Sequence, residues 1–447
     1  MTIAAAQLDH YRKEFSALGA QLPGSGLTWV EKTRQGAFER FAQMGFPSPR
    51  DENWKYTRVT PIEKRTFRSI PKSCIGLIPE DLERFFFAAL PCHRLVFVNG
   101  QYTPQLSKPG ALPGGATVCS LTKALAANPD RLEPYLARYA DVGANGFTAL
   151  NTAFMGDGAV LYLPRDTVLE HPVHLLFVAT TQEELFVNPR NLIVAEQGSE
   201  ATVIESYVSL GGNGYFTNAL TEVVVGDNAG VTHYKMQQEN LSAFHIATLQ
   251  VQQRRNSRFT SHAISFGGSL VRHDINAVLD AEGAQCTLNG LYLGAGRQHV
   301  DYHTRIDHTK PLGTSREHYR GILSGRARGV FSGLTKVHAG AQKTDASQSN
   351  DNLLLSRDAE VDTKPQLEIY ADDVKCSHGA TVGQLDDDMI FYLRARGIEA
   401  QAARGLLTYG FAQDVIDRMH LAAVRTAVEE VLLGQLPDID AIKGLVS

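Results

Sequence analysis

The sequence predicts a mainly β protein: a right-handed parallel β-helix over residues 156–385, between an N-terminal mixed α/β region (1–155) and a C-terminal helical domain (386–447). Three observations predict it. Beyond Met155 a five-residue pattern, small, polar, apolar, polar, variable, returns at roughly 14 to 15 residues, a period at which one repeat is one structural element. Gly, Asn and Asp punctuate the copies, as turns require. No helical stretch separates them, so strand follows strand without a crossover helix, as in a coil stacked on the coil before it.

The flanking elements follow from periodicity. Over residues 4–46, Leu8, Tyr11, Phe15 and Leu18, then Trp29, Phe38 and Phe41, recur at helical spacing. Residues 47–61 are broken by prolines and read as loop, 82–89 as a short helix, and 93–100 as a buried strand ending in a turn. The repeat copies are residues 199–203, 229–233, 257–261, 284–288, 359–363 and 374–378, with weaker ones at 243–247, 271–275, 298–302 and 327–331. A β-sandwich would place Asn-Gly or Asp-Gly turns between copies; Asn145-Gly146, Asp157-Gly158 and Asn289-Gly290 lie elsewhere, which favours the solenoid. After the N-capping run Asp386-Asp387-Asp388, helical spacing resumes at Met389, Ile390, Leu393, Ala403, Leu406, Leu407, Val415, Ile416, Met419, Val424 and Val428. This segment reads as a cap over the open end of the solenoid or as a docking module.

Composition narrows function by exclusion. The 447 residues are 43% hydrophobic and 20% charged, which excludes disorder, and a net charge of -5 gives no global attraction to nucleic acid or an anionic membrane. No basic-then-apolar leader opens the chain and no run reaches the ~18 apolar residues that span a bilayer, so a cytoplasmic protein is expected. Without a Gly-Lys dipeptide there is no Walker A loop, and neither HExxH nor GxSxG occurs. Cys74, Cys92, Cys119, Cys286 and Cys376 are odd in number and never paired at metal-binding spacing. Among fifteen histidines, those in the repeats (His233, His245, His262, His273, His299, His303, His308, His318 and His338) read mostly as surface residues of strands rather than as a metal site.

Cys376-Ser377-His378-Gly379 stands apart. Two residues apart on a strand, Cys376 and His378 share a face and can meet one ion or one sulfur species. By register Cys376 falls in the column of Ala201, Val231, Phe259, Cys286 and Val361, an inward column where a thiol is an apolar filler, and the pattern alone assigns His378 no role. A β-helix carbohydrate-active lyase or hydrolase is the alternative function, although its clustered acids are not seen.

The block Tyr370-Ala371-Asp372-Asp373-Val374-Lys375-Cys376-Ser377-His378-Gly379-Ala380-Thr381-Val382-Gly383 resembles the SufB/SufD family of iron–sulfur cluster assembly scaffolds. Before it stands Gly340-Ala341-Gln342-Lys343-Thr344-Asp345-Ala346-Ser347-Gln348 and after it Phe391-Tyr392-Leu393-Arg394-Ala395-Arg396-Gly397-Ile398. Asn53-Trp54-Lys55-Tyr56-Thr57 and Leu150-Asn151-Thr152-Ala153-Phe154 match the SufD branch, as does the scarcity of cysteine, and the likeness runs from about residue 50 to 430. The resemblance implies a non-ATPase scaffold in a complex of one SufB, one SufD and two copies of the ATPase SufC. A nascent iron–sulfur cluster is built there with sulfur delivered through SufB from a cysteine desulfurase system. It implies a β-helix with helical ends, His378 at the SufB interface with Cys376 beside it, SufC docking on the C-terminal helices (Met389, Leu393, Leu406 and Leu407), and a reduced flavin in the assembled complex. A homodimer is the form open to the chain alone, and neither nucleic acid nor membrane is a partner.

Overall fold

The computed structural model describes residues 5–69, 76–87, 90–180, 184–212 and 214–436; Cys74, the end of the helix expected at 82–89, Asn213 and residues 437–447 lie outside these. Sixteen strands, numbered in chain order, wind into a parallel β-solenoid of about eight turns. The odd strands form one sheet: β1 (Ala159–Leu163), β3 (Arg190–Ala195), β5 (Phe216–Val225), β7 (Phe244–Gln253), β9 (Leu270–Leu279), β11 (His299–His308), β13 (Arg328–Val337) and β15 (Glu360–Ile369). The even strands form the other: β2 (Val173–Ala179), β4 (Glu200–Ser209), β6 (Gly230–Gln238), β8 (Arg258–Ser265), β10 (Gln285–Gly294), β12 (Thr314–Leu323), β14 (Asp345–Leu354) and β16 (Lys375–Gly383). Phe216, Phe244, Leu270, His299, Arg328 and Glu360 share one row, so a coil takes 26 to 32 residues and the sequence period is half a coil.

That halving corrects one alignment. Val361 belongs to the odd sheet, whereas the row of Cys376 in the even sheet is Ala201, Val231, Phe259, Cys286, Ser315 and Ala346. Copies also begin at Gly313 and Thr344; Ser315 breaks the apolar column in the first, and Ala346 keeps it in the second.

Six successive coils turn into their even strand through a residue in the left-handed region. Gly198, Asn228, Asn256, Gly283, Leu312 and Lys343 all have φ between 52° and 72°. The N–H of each bonds a carbonyl of the next coil, as in Asn228 to Arg255 at 2.8 Å and Leu312 to Gln342 at 2.9 Å, so the corners stack as a ladder. Gly and Asn suit this conformation; Leu312 and Lys343 adopt it at a cost, which the ladder offsets.

The interior is a continuous core from Leu95 to Ala359 in which large rings are accommodated opposite glycines. A Cβ on Gly290 would stand 2.2 Å from the Tyr319 ring, and one on Gly321 would stand 2.4 Å from Tyr292. Both outer faces are covered. Helices α1 (Ala5–Leu18) and α2 (Thr28–Met44), with α3 (Gly146–Ala153), pack aromatic residues against Phe216, Phe244 and Leu270 of the odd sheet. The proline-rich stretch after them holds only single turns, and Pro79–Phe85 is a 3-10 turn where a helix was expected.

The two N-terminal motifs serve that docking. Trp54 stacks on the guanidinium of buried Arg272 at 3.7 Å, Asn53 offers it a carbonyl at 2.8 Å, and Thr57 donates to Asp301. Asn151 and Thr152 accept from Arg190, which also pairs with Glu222 at 2.7 Å in a wholly buried site.

The C-terminal helices α4 (Asp387–Arg394), α5 (Ala400–Ile416) and α6 (Ala422–Gln435) do not cap the solenoid end. Their stripe, Val415, Ile416, Met419, Val424, Val428 and Leu432, covers the outer face of the even sheet over Ile204, Tyr234, Ile264, Leu291 and Ile322. That face is apolar and needs cover along its whole length, so the helices lie along it. His318, hydrogen-bonded to Ser349 at 2.7 Å and to Asp414, and Arg320, 3.2 Å from Asp414, pin α5 in place.

Candidate functional site

Among the described residues the coil left uncovered is the last one. Through β14 the inward rows are buried, but β16 is exposed along almost its whole length and β15 is half-buried. Cys376 points inward as the register expected: it is half-buried against Val337, Ala341 and Ala371, and its thiol is free. Burial pushes that thiol up, opposed by the Ala346 amide and reinforced by Asp345. His378 lies on the same inward side, two residues on, and is exposed because no further coil covers it.

Behind His378 its row runs Gln348, Glu317, Leu288, Ser261, His233 and Val203. Glu317 is buried, accepts from Thr304 at 2.6 Å and from Gln348 at 3.0 Å, and burial raises its carboxyl to about 7. Deeper in, burial alone would raise Glu205, but His233 at 3.2 Å, Lys235 and Thr221 outweigh it and hold the carboxyl at about 2. Burial lowers Lys235 to about 8 against the pull of Glu205 and Glu239.

These interior groups were missed in the sequence. The histidines expected at the surface are the clearest case: His233, His245, His262, His273 and His308 are buried, and His299, His303, His318 and His338 are half-buried. His233 holds the pattern's "variable" position, two residues from its apolar one and therefore also inward, which was the available signal, whereas His262 is buried on the outer face, stacked on Tyr234. Among the described residues no three His, Cys, Asp or Glu side chains are grouped to hold a metal ion. Cys376 and His378 together supply at most two of the four ligands that an iron–sulfur cluster takes. Any cluster here must therefore complete its ligand set from another molecule.

The expected docking residues divide. Met389 is 56% exposed, while Leu393, Leu406 and Leu407 are half-buried. Phe391 and Tyr392, 71% and 57% exposed, extend the Met389 patch on α4 and were not singled out from periodicity, because they lie off the stripe that Ile390 buries.

Comparison with known families places this architecture. The profile described as "SUF system FeS cluster assembly, SufBD core domain" matches residues 177–411, and "SufBD protein N-terminal region" matches residues 5–175. The chain belongs to the SufBD family. It is 37% identical to an iron–sulfur cluster assembly SufBD family protein of Synechocystis, over 92% of this chain and 93% of that one. It is 33% identical to the iron–sulfur cluster assembly protein SufD of Escherichia coli (90% and 92%) and 28% identical to SufD of Bacillus subtilis (90% and 93%). As a SufBD protein it is a scaffold-type subunit of iron–sulfur cluster assembly in the SUF system, and the carbohydrate-active alternative finds no support. No described helix is long and apolar enough to cross a membrane.

Proposed function

We propose that this chain is the SufD-type, non-enzymatic scaffold of a cytoplasmic assembly complex, pairing through its last coil with a SufB-type chain. The uncovered coil carries the proposal. Ile369, Tyr370 and Val382 are 41%, 61% and 49% exposed beside a strand edge with free backbone groups, which is the surface a homologous coil satisfies. His378 then lies at the junction, where a neutral imidazole ligates iron or a cluster edge and the partner supplies thiolates; Cys376 serves as packing. The cluster is cargo, built with sulfur passed through SufB from a cysteine desulfurase. Reduced flavin belongs to the assembled complex, with no residue of this chain assigned to it. Met389, Phe391 and Tyr392 offer an apolar patch to the SufC ATPase.

Reconstitution with SufB and SufC, read by visible absorption, tests this. His378→Ala is expected to keep the complex and abolish the cluster spectrum, with Cys376→Ala milder; a normal spectrum from His378→Ala refutes the assignment. Phe391→Asp, at an exposed position, is expected to leave circular dichroism unchanged and to abolish SufC pull-down. Retained pull-down refutes the docking site.

A further inference from the structure

Glu317, Gln348 and His378 are consecutive in one inward row of the even sheet, one per coil. Glu317 and Gln348 are each only 3% exposed. Gln348 commits its Nε2 to Glu317 Oε2 at 3.0 Å, on the coil behind it. The other end of the amide, Oε1, is then not the atom that meets Glu317. That oxygen is buried and has no hydrogen-bond partner. Gly333 on the facing strand fixes the placement, because a Cβ there would stand 2.1 Å from Gln348 Nε2 and displace the amide. A buried acceptor without a donor is unfavourable, and the neighbour of Gln348 on its other side in the row is His378, whose ring carries an N–H.

We infer that Gln348, oriented by Glu317, is a positioning residue for His378: its amide oxygen accepts the ring N–H facing the solenoid interior, fixing one neutral tautomer and turning the other nitrogen's lone pair outward. Ligating histidines generally give their second N–H to a carboxylate or carbonyl, which sets ring orientation and raises basicity. Here the carboxylate acts one residue removed, by choosing which end of the amide the ring meets. The inference rests on the reading of His378 as a cluster ligand and adds to it the choice of nitrogen. It also gives Glu317, Gln348 and Gly333 a common purpose at a site none of them touches from outside.

The experiment uses the full-length chain labelled with 15N-histidine. Long-range nitrogen–carbon-bound-proton correlations report the tautomer, with the His378 signals assigned by their loss in His378→Ala. The wild type is expected to show one dominant neutral tautomer. Gln348→Met, which keeps volume and removes the acceptor, is expected to give a mixture like that of free imidazole, and cluster yield in the reconstituted complex should fall at least tenfold. Glu317→Gln, which lets the amide turn over, is a second route to the same mixture should Gln348→Met fold poorly. A wild-type ring already averaged between tautomers, or a tautomer unchanged in both variants, overturns the inference. A tautomer that shifts as expected while His378→Ala still builds a normal cluster supports the hydrogen bond and refutes instead the ligand role proposed for His378.

Discussion

Glu222→Ala is expected to detach the N-terminal region from the solenoid. Glu222 and Arg190 are both 0% exposed, with Nη2 to Oε2 at 2.7 Å, and the carboxylate also accepts the amides of Ala137, Tyr139 and Ala140 at 2.7 to 3.1 Å. Removing one partner of a buried pair costs about 3–5 kcal/mol. Of the three orphaned amides, only that of Ala140 is buried with its partner; it adds about 1–3 kcal/mol, while water can reach the other two. The total, about 4–8 kcal/mol, rivals the ~5–15 kcal/mol of a whole domain. Because solenoid coils contact mainly their neighbours, the loss should stay local. Trp29 and Trp54, the two tryptophans of the chain, both lie in the N-terminal region, so urea unfolding followed by fluorescence should move to lower denaturant than unfolding followed by circular dichroism. Arg190→Met/Glu222→Leu should be less destabilised than either single variant, since no buried charge is left alone. A Glu222→Ala protein within about 1 kcal/mol of wild type would refute the reasoning.

Two further outcomes are expected. Burial holds His174 at about 3 and His262 and His308 at about 4, so they stay neutral in the fold and take up protons only on unfolding below about pH 6.5. Stability should therefore be full above that pH and fall toward pH 4.5, opposed by the single proton that the folded state holds on Glu317, whose raised carboxyl favours the fold as pH drops. Urea midpoints that stay flat or rise on acidification from 6.5 to 4.5 would contradict this. Gly290→Ala, whose methyl would meet the Tyr319 ring at 2.2 Å, should lower stability by about 1–3 kcal/mol through overpacking, measured by thermal unfolding. A neutral or stabilising effect would show that the ring can move aside.

The solenoid was legible because its signal repeats: one inward apolar position per half-coil and one left-handed corner per coil, copied often enough to survive exceptions. What the repeat could not show was that successive copies alternate between two sheets, since both halves obey the same alternation. Val361 was therefore joined to a column it does not share with Cys376. Interior polarity was hidden for a related reason. His233, Glu317 and Gln348 look like surface residues by type, and only their register, two residues from a buried side chain, marks them as inward. The helical tail shows the opposite limit. Its later part, Val415 to Val428, is buried as the spacing expects, but periodicity gives a buried face without saying what buries it, and the outer face of the even sheet claims that part of the stripe.

That claim sharpens the functional reading. If α5 and α6 had covered the last coil, the inward rows of β15 and β16 would be ordinary core, and His378 one more buried polar group to be satisfied internally. Instead the helices lie along the even sheet, the N-terminal region covers the odd sheet, and among the described residues the interior reaches the surface at the last coil. The core's polar row thus ends in an exposed imidazole with the buried acceptor of Gln348 next to it in the row. A closed solenoid would have no use for such an end. Under the pairing proposed above such an end has a use: a homologous partner covering it would bring its ligands to His378 and shield the site from water in the same step, so the surface that joins the subunits would also be the place where the cargo is held.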